Sequence, residues 1–534
     1  MDADNDMGKF LTLSTAEKRA IARKAFYFHI SSFGISYVKN LYVRNANSPG
    51  NMQNIRCLIE GIAMVHYIEK LSDEEMELFR MQPFVLEHTI YKKYKDLHGV
   101  LLDFDLTDNS FKNAKKLYKD LEKLNSEQFK ERLWQKIPFA KKDVNYEDVV
   151  GEVFGKDFLK FYKMFGIFSH PHDYRVPART KLYKQLEDIQ DVFHELILIT
   201  LEKMFNKFGN PDILGLEDEY DLLFGGVSFQ NFALKRTHEI RELLHKASMA
   251  TMTNGYTCLA FYLEEVHLFN LDFILDDAYG FVEQGIIKWK QVVEFFAVLD
   301  LFADDNHYLQ DNDLLHLHTQ MALARSMDGK DIDPAWLEEA YVKYLIRFPN
   351  GVSKEKFSKV FSKTLGFLID ENGEVPPSLR QLVNGFIDKF VAESEESSFD
   401  ILDPANREAF DVQHNQDKIK EMIDKGELKK KTVPLDSFLK MCYEESQIMS
   451  HATGYMHFAN TGAWASGQVL GIYIHKFAER VISKLLKYFQ DLRASGAMQS
   501  KTLINVLRNY LKRSREHINM IEIVYRIPKI RKTF

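Results

Sequence analysis

Residues 52–71, MQNIRCLIEGIAMVHYIEKL, decide the fold. Ile55, Leu58, Ile59, Ile62, Val65 and Ile68 recur at intervals of three and four, the period of one face of an α-helix. On either side the same reading repeats. Ser14-Thr15-Ala16-Glu17 is a helix start, with a side-chain oxygen to cap free amides and a carboxylate at the positive dipole end. It opens a helix over Ala16–Val43 that breaks at NANSPGN, Asn45–Asn51. Further helices are predicted over Ser72–Leu97, Lys112–Lys136, Val150–Ser169 and Lys181–Phe208. A second series follows: Phe229–Met249, Gly255–Asp272, Gly285–Leu301, Ala335–Arg347, Ser353–Ile369, Ser378–Ser397, Pro434–Ser450, Ser466–Ser495 and Ser500–Met520. Asp370-Glu371-Asn372-Gly373 reads as a turn, and the charged stretch Ser394–Lys431 as a linker or an exposed helical arm. No run of alternating apolar residues indicates a sheet. The fold class is all-α.

Composition agrees. Gly (26) and Pro (13) are sparse in 534 residues, while 41 Phe and 24 Tyr supply ample core. That length exceeds one ordinary core and predicts two or more domains. A net charge of −7 excludes a generally basic nucleic-acid binder but not a local basic patch. Cys57, Cys258 and Cys442 are too far apart for a zinc finger or a disulfide framework and fit a reducing cytosol. The acidic N-terminus lacks the order of a signal peptide, and no window approaches the roughly 18 apolar residues of a membrane span. The expectation is a soluble cytoplasmic protein with no membrane partner.

Two helical series suggest duplication. Cys57-Leu58 is followed by His66, and Cys258-Leu259 by His267, at the same distance. Ser169-His170 is matched by Ser450-His451, each with a second histidine after it, His172 and His457. The expected organisation is two diverged helical bundles: the first over residues 1–210, a junction at 211–227, and the second over 228–495, with an insertion at about 350–433. A basic helix and tail occupy 496–534.

The polar residues of the first series gather at FYKMFGIFSHPHDYR, Phe161–Arg175. His170 and His172 titrate near neutral pH and suit acid–base work, and Lys163 or Arg175 suits phosphate binding. Arg56 and Glu60 lie one turn apart on the helix that opens this reading. They form either an ion pair that orients His170 or a surface salt bridge. Aligned on the cysteines, their counterparts in the second series are Thr257 and Phe261. The bland alternative for Ser-His-Pro-His is a helix stop, with Pro171 ending the helix.

An Arg-x3-Glu helix, followed about a hundred residues later by an aromatic helix ending in Ser-His, resembles the HEPN-like helical domains. More narrowly, it resembles an uncharacterised bacterial group associated with phage-defence genes. The resemblance covers Ala16–Phe208 and, more faintly, Ser228–Phe489. It implies a helical bundle that often forms a homodimer and, in active members, a metal-independent ribonuclease using Arg-x4–6-His. Here Lys163, not an arginine, stands seven residues before His170, while Arg23-x5-His29 and Arg407-x6-His414 fit the spacing only formally.

Glu242-x2-His245 and Glu264-x2-His267 have the spacing of di-iron bundles, which also need two more glutamates, such as Glu60 or Glu195, and His66 is a further possible ligand. His307, His316 and His318 form another polar cluster that matches no metal loop, and no Gly-rich phosphate loop, G-x-S-x-G elbow or kinase signature is present. No metal and no cofactor is expected. Near the C-terminus Arg508, Lys512, Arg513, Arg515 and Arg526, interleaved with Tyr510 and Tyr525, suit either an RNA contact or a solvated helix end. Two functions follow. One is a defence- or toxin-type effector acting on RNA or nucleotides, with His170 and His172 as acid–base groups, Arg56 and Glu60 orienting them, and Lys163, Arg175, Arg513 and Arg526 binding substrate. The other is a non-catalytic scaffold that pairs with a partner protein, its polar motifs being buried structural networks. An open pocket holding Arg56, Glu60 and His170 favours the first, and a sealed network the second.

Overall fold

Twelve successive residues, Trp289 to Asp300, are buried, and a helix covered on every side belongs at the centre of a bundle. This helix, Val282–Asp304, is α4 in the computed structural model. The structure describes residues 49–68, 88, 90–98, 108–109, 112, 146–156, 158–168, 243, 245–252, 259–260, 263, 282–304, 313–328, 334–376, 378–394, 396–402, 425–426, 430–449, 460–497 and 501–524. Of these, 81% are helical and 3% strand, so the fold is all-α.

The helices before α4 are α1 (Pro49–Ile68), α2 (Tyr146–Phe154) and α3 (Leu159–Ile167). After it come α5 (Asp313–Asp328), α6 (Pro334–Arg347), α7 (Lys354–Phe361) and α8 (Leu379–Glu393). A two-stranded antiparallel ribbon follows, β1 (Ser398–Leu402) with β2 (Lys430–Pro434), in the register Ser398↔Pro434 to Leu402↔Lys430. Last are α9 (Leu435–Met449), α10 (Asn460–Ala494) and α11 (Lys501–Val524). Helices α8, α9 and α10 pack on α4, and α11 packs on α10; α1, α2 and α3 pack on one another, and α3 also leans on α5.

Aromatic packing closes the centre. The Phe477 ring of α10 meets Trp289 at 5.6 Å, Phe386 at 4.9 Å and Phe390 at 4.7 Å, the last two edge-on. Beside it, Asp300 of α4 is buried and neutralised by Arg480 Nε at 3.1 Å and Lys484 Nζ at 2.8 Å, both from α10. Buried residues from both sides of 211–227 join one apolar cluster, Ile55 and Phe165 with Phe296 and Phe477 among them. Gln291 of α4 donates Nε2 to the Phe168 carbonyl at 3.0 Å, a direct tie between the two series. Residues 211–227 themselves lie outside the described residues, as do Ala16–Val43 and Lys181–Phe208.

Local chemistry explains where helices start and stop. Ser353 and Ser378 accept the backbone amides of Lys356 and Gln381, capping α7 and α8 at the serines expected to begin them. The turn after α7 is an Asx turn: Asp370 Oδ1 accepts from Asn372 N at 2.9 Å and Glu374 N at 2.7 Å, and Gly373 takes φ +73°. Three differences from the sequence reading stand out. The helix expected over Val150–Ser169 is two helices, because Gly155 (φ +89°) bonds back to the Gly151 carbonyl and ends α2. The Ser353–Ile369 helix stops at Phe361, with a 3-10 turn at Gly366–Leu368. The charged stretch expected to be a linker holds the β1–β2 ribbon at its ends, where Val433 is fully buried.

Candidate functional site

Arg56 and Glu60 share one face of α1, and Arg56 Nε stands 3.3 Å from Glu60 Oε1. Glu60 has no exposed surface. Across from it, Tyr162 of α3 donates its hydroxyl to Glu60 Oε1 at 2.7 Å, and the Arg56 guanidinium lies 5.5 Å from the centre of the Tyr162 ring. Burial opposes a charge on Arg56, but the Glu60 carboxylate outweighs it and holds the guanidinium more firmly protonated than usual. Burial, reinforced by the same carboxylate, pushes the hydroxyls of Tyr162 and Tyr146 far above the ordinary phenol range. Both tyrosines are donors rather than bases. The group is a largely buried ion pair beside an aromatic ring, with Glu60 wholly buried and Arg56 partly exposed, fit to fix α3 against α1.

This network lies beside the end of the helix that precedes the predicted histidine site in sequence. A Cβ at Gly166 would stand 3.9 Å from Arg56 Nη1, so the last turn of α3 passes over the guanidinium. Two residues on, the Phe168 carbonyl is held by Gln291. His170, His172 and Arg175 follow directly in sequence and lie outside the described residues. Lys163 points elsewhere: its Nζ pairs with Glu147 Oε2 at 3.2 Å in a partly exposed bridge. Arg513, exposed on α11, pairs with Glu516 at 2.9 Å, and Arg526 lies outside the described residues.

The arrangement recurs. On α4, Lys290 Nζ lies 3.5 Å from Glu294 Oε1, again one turn apart. Tyr443 of α9 donates to Glu294 Oε1 at 2.9 Å. Tyr162 and Tyr443 each stand seven residues before a Ser-His pair, Ser169-His170 and Ser450-His451. By these contacts Arg56 and Glu60 resemble Lys290 and Glu294; Thr257 and Phe261 lie outside the described residues. The chain matches no protein-family model, no curated protein and no solved structure.

Next to Tyr443, Glu444 forms a hub that sequence reading did not reveal. It is 6% exposed and takes Lys93 Nζ at 3.1 Å, the Tyr94 hydroxyl at 3.0 Å and a close contact from Arg380. Burial favours its neutral acid, yet Arg380 and Lys93 hold it below the usual carboxylate range. The signal available was weak: Lys93, Arg380 and Glu444 share no motif and meet only through the fold.

Among the described residues no group of three or more His, Cys, Asp or Glu side chains is placed to hold a metal. His245 is exposed on a described helical turn, whereas Glu195, Glu242, Glu264 and His267 lie outside the described residues, and so does the side chain of His66. His307 lies outside them too. His316 and His318 sit in helix α5, where Gln320 Nε2 meets His316 Nε2 at 3.2 Å and His318 Nε2 meets the Lys363 carbonyl at 2.8 Å. Cys57 and Cys442 are buried thiols, and burial pushes the Cys442 thiol well up, which leaves it unreactive. Among the described residues no helix is long and apolar enough to cross a membrane.

Proposed function

We propose that the chain is a non-catalytic helical scaffold, a cytoplasmic protein built from two diverged bundles that pairs with a partner protein or a second copy of itself. The observation that carries this reading is the burial of Glu60 in the Arg56–Glu60–Tyr162 network. Glu60, the carboxylate expected to orient His170, is wholly buried and contacts Arg56 and Tyr162. A carboxylate in that position docks helices. The recurrence at Lys290–Glu294–Tyr443 supports two copies of one docking unit, since catalysis alone gives no reason to repeat it with lysine in place of arginine.

A second reading is favoured by one observation: the network abuts the end of α3, from which the chain runs into Ser169-His170. On that reading the chain is a HEPN-like, phage-defence effector acting on RNA. Arg56 and Glu60 brace the helix while His170 and His172 perform metal-independent acid–base chemistry. Inducible expression in bacteria separates the two. The scaffold reading expects intact cellular RNA and unimpaired growth with both the wild type and a His170→Ala, His172→Ala double variant. Growth arrest with RNA cleavage, abolished in a double variant whose circular dichroism is unchanged, overturns it in favour of the effector.

A further inference from the structure

Helices α10 and α11 pack together and leave a groove of about 570 Å³ between their exposed faces. Lys487 lines one wall, Arg508, Lys512 and Arg515 line the other, and Leu486 and Leu511 form an apolar floor with Ser483 and Gln490 beside it. One carboxylate, Glu516, reaches the rim, and it accepts from Arg513. Arg515 pairs with Glu479 of α10. Among the described residues Lys487, Arg508 and Lys512 have no carboxylate partner.

Elsewhere several cations have an anion one helical turn away: Arg56 with Glu60, Lys290 with Glu294, Lys343 with Glu339, Lys440 with Asp436. The like-charged row Lys476, Arg480 and Lys484 on α10 is neutralised by Glu396, Glu393, Asp300 and Asp304. On α11, Arg508 and Lys512 stand one turn apart with the same sign, and Arg515 continues the row. Like charges at that spacing repel and weaken a helix. Net composition does not account for the row, because the chain carries −7 overall. A bound polyanion does: phosphates between the cations turn repulsion into attraction.

We infer that this groove binds the phosphate backbone of a single-stranded nucleic acid, with RNA as the test ligand. From Arg508 to Arg515 the row rises about 10 Å along α11, a length that serves successive phosphates of one strand. The cleft between two helices is concave and admits one strand. No aromatic side chain lines it, so recognition follows the backbone and is indifferent to sequence. The inference goes beyond the scaffold reading: it makes the scaffold a nucleic-acid carrier whether or not His170 acts on anything.

Fluorescence anisotropy of the full chain with a labelled oligouridylate tests it. Binding is expected to weaken about 20-fold between 50 and 200 mM salt, the dependence for roughly three neutralised phosphates on a single strand. Lys512→Glu should weaken binding at least tenfold, and Lys487→Glu with Lys512→Glu should abolish it, with the thermal midpoint of the variant retained. Lys359→Glu, the same charge change on exposed α7, should leave binding within twofold of wild type. Equal RNA affinity in the groove double variant and the wild type overturns the inference. So does the absence of RNA binding at 50 mM salt, or binding confined to anionic lipid vesicles.

Discussion

His318 gives the sharpest prediction because its environment is fixed on every side. It is 6% exposed on α5, its Nε2 lies 2.8 Å from the Lys363 carbonyl, and the rings of Phe361 and Phe367 flank it at 5.5 and 5.4 Å. A carbonyl only accepts, so Nε2 carries a proton and the neutral ring holds the bond. Burial, with a minor contribution from Arg325 and against the Lys363 bond, lowers its pKa from 6.5 to about 4. The folded state therefore binds fewer protons than the unfolded chain between those values. Stability from this residue is complete above pH 6.5 and is lost as pH falls toward 4. The loss amounts to ~2 kcal/mol at pH 5 and approaches ~3 kcal/mol below pH 4. Glu444 and Asp304 are held below their usual range by their cations, so their stabilisation is present above the ordinary carboxylate pKa and disappears only at more acid pH. Urea unfolding of the wild type and His318→Gln at pH 7.5 and pH 5 isolates the histidine, since glutamine keeps a donor for the Lys363 carbonyl but does not titrate. The wild type should lose ~2 kcal/mol more than the variant over this interval. Parallel losses refute the reasoning.

Two further predictions concern packing. Tyr162→Phe and Tyr443→Phe each leave a buried carboxylate with one donor fewer and should cost about 1–3 kcal/mol, read from urea midpoints. A change below ~0.5 kcal/mol in either would mean that Glu60 or Glu294 is hydrated and not closed in. Gly366→Ala places a Cβ 2.1 Å from the Phe361 carbonyl oxygen, a backbone atom that cannot move aside, and should destabilise by about 1–3 kcal/mol. Gly385→Ala at an exposed position of α8, where a Cβ meets nothing within 4 Å, should instead stabilise by roughly 0.5–1 kcal/mol. Thermal midpoints moving in the same direction for both glycines would contradict the geometry.

The helical class was legible because period and breakers agree. Ile55, Leu58, Ile59 and Ile62 are all buried, and Ser353 and Ser378 cap the helices they were expected to begin. Boundaries set by a single glycine were not legible. Gly155 ends α2 through its left-handed backbone, which apolar spacing does not register. Nor was the short ribbon: Phe399 and Ile401 alternate over too few residues to stand out beside a charged run, and only pairing with 430–434 makes them a strand. At the site, Arg56 and Glu60 were found from spacing alone, but their partner Tyr162 comes from 102 residues away and reads in sequence as one more apolar position. His318 was read as part of a polar cluster because histidine in an apolar helix gives no sign of which carbonyl will receive it.

The two triads bear on why a chain with so much apolar surface retains buried charges at all. Apolar side chains of similar volume often fill such sites with equal or greater stability, so stability alone does not explain the pair. A Leu or Phe face slides: neighbouring rotations of α3 on α1 bury similar area. A tyrosine hydroxyl that must reach one carboxylate oxygen allows one rotation, and the penalty for missing it is an unpaired buried charge. Tyr162 on Glu60 sets the azimuth of α3, and Tyr443 on Glu294 sets that of α9. In sequence a Ser-His pair follows seven residues after each tyrosine. Whatever the Ser-His pairs do, as partner-binding points of a scaffold or as acid–base groups, they require the helix that precedes them to be held at one angle. The buried triads supply that constraint in either case.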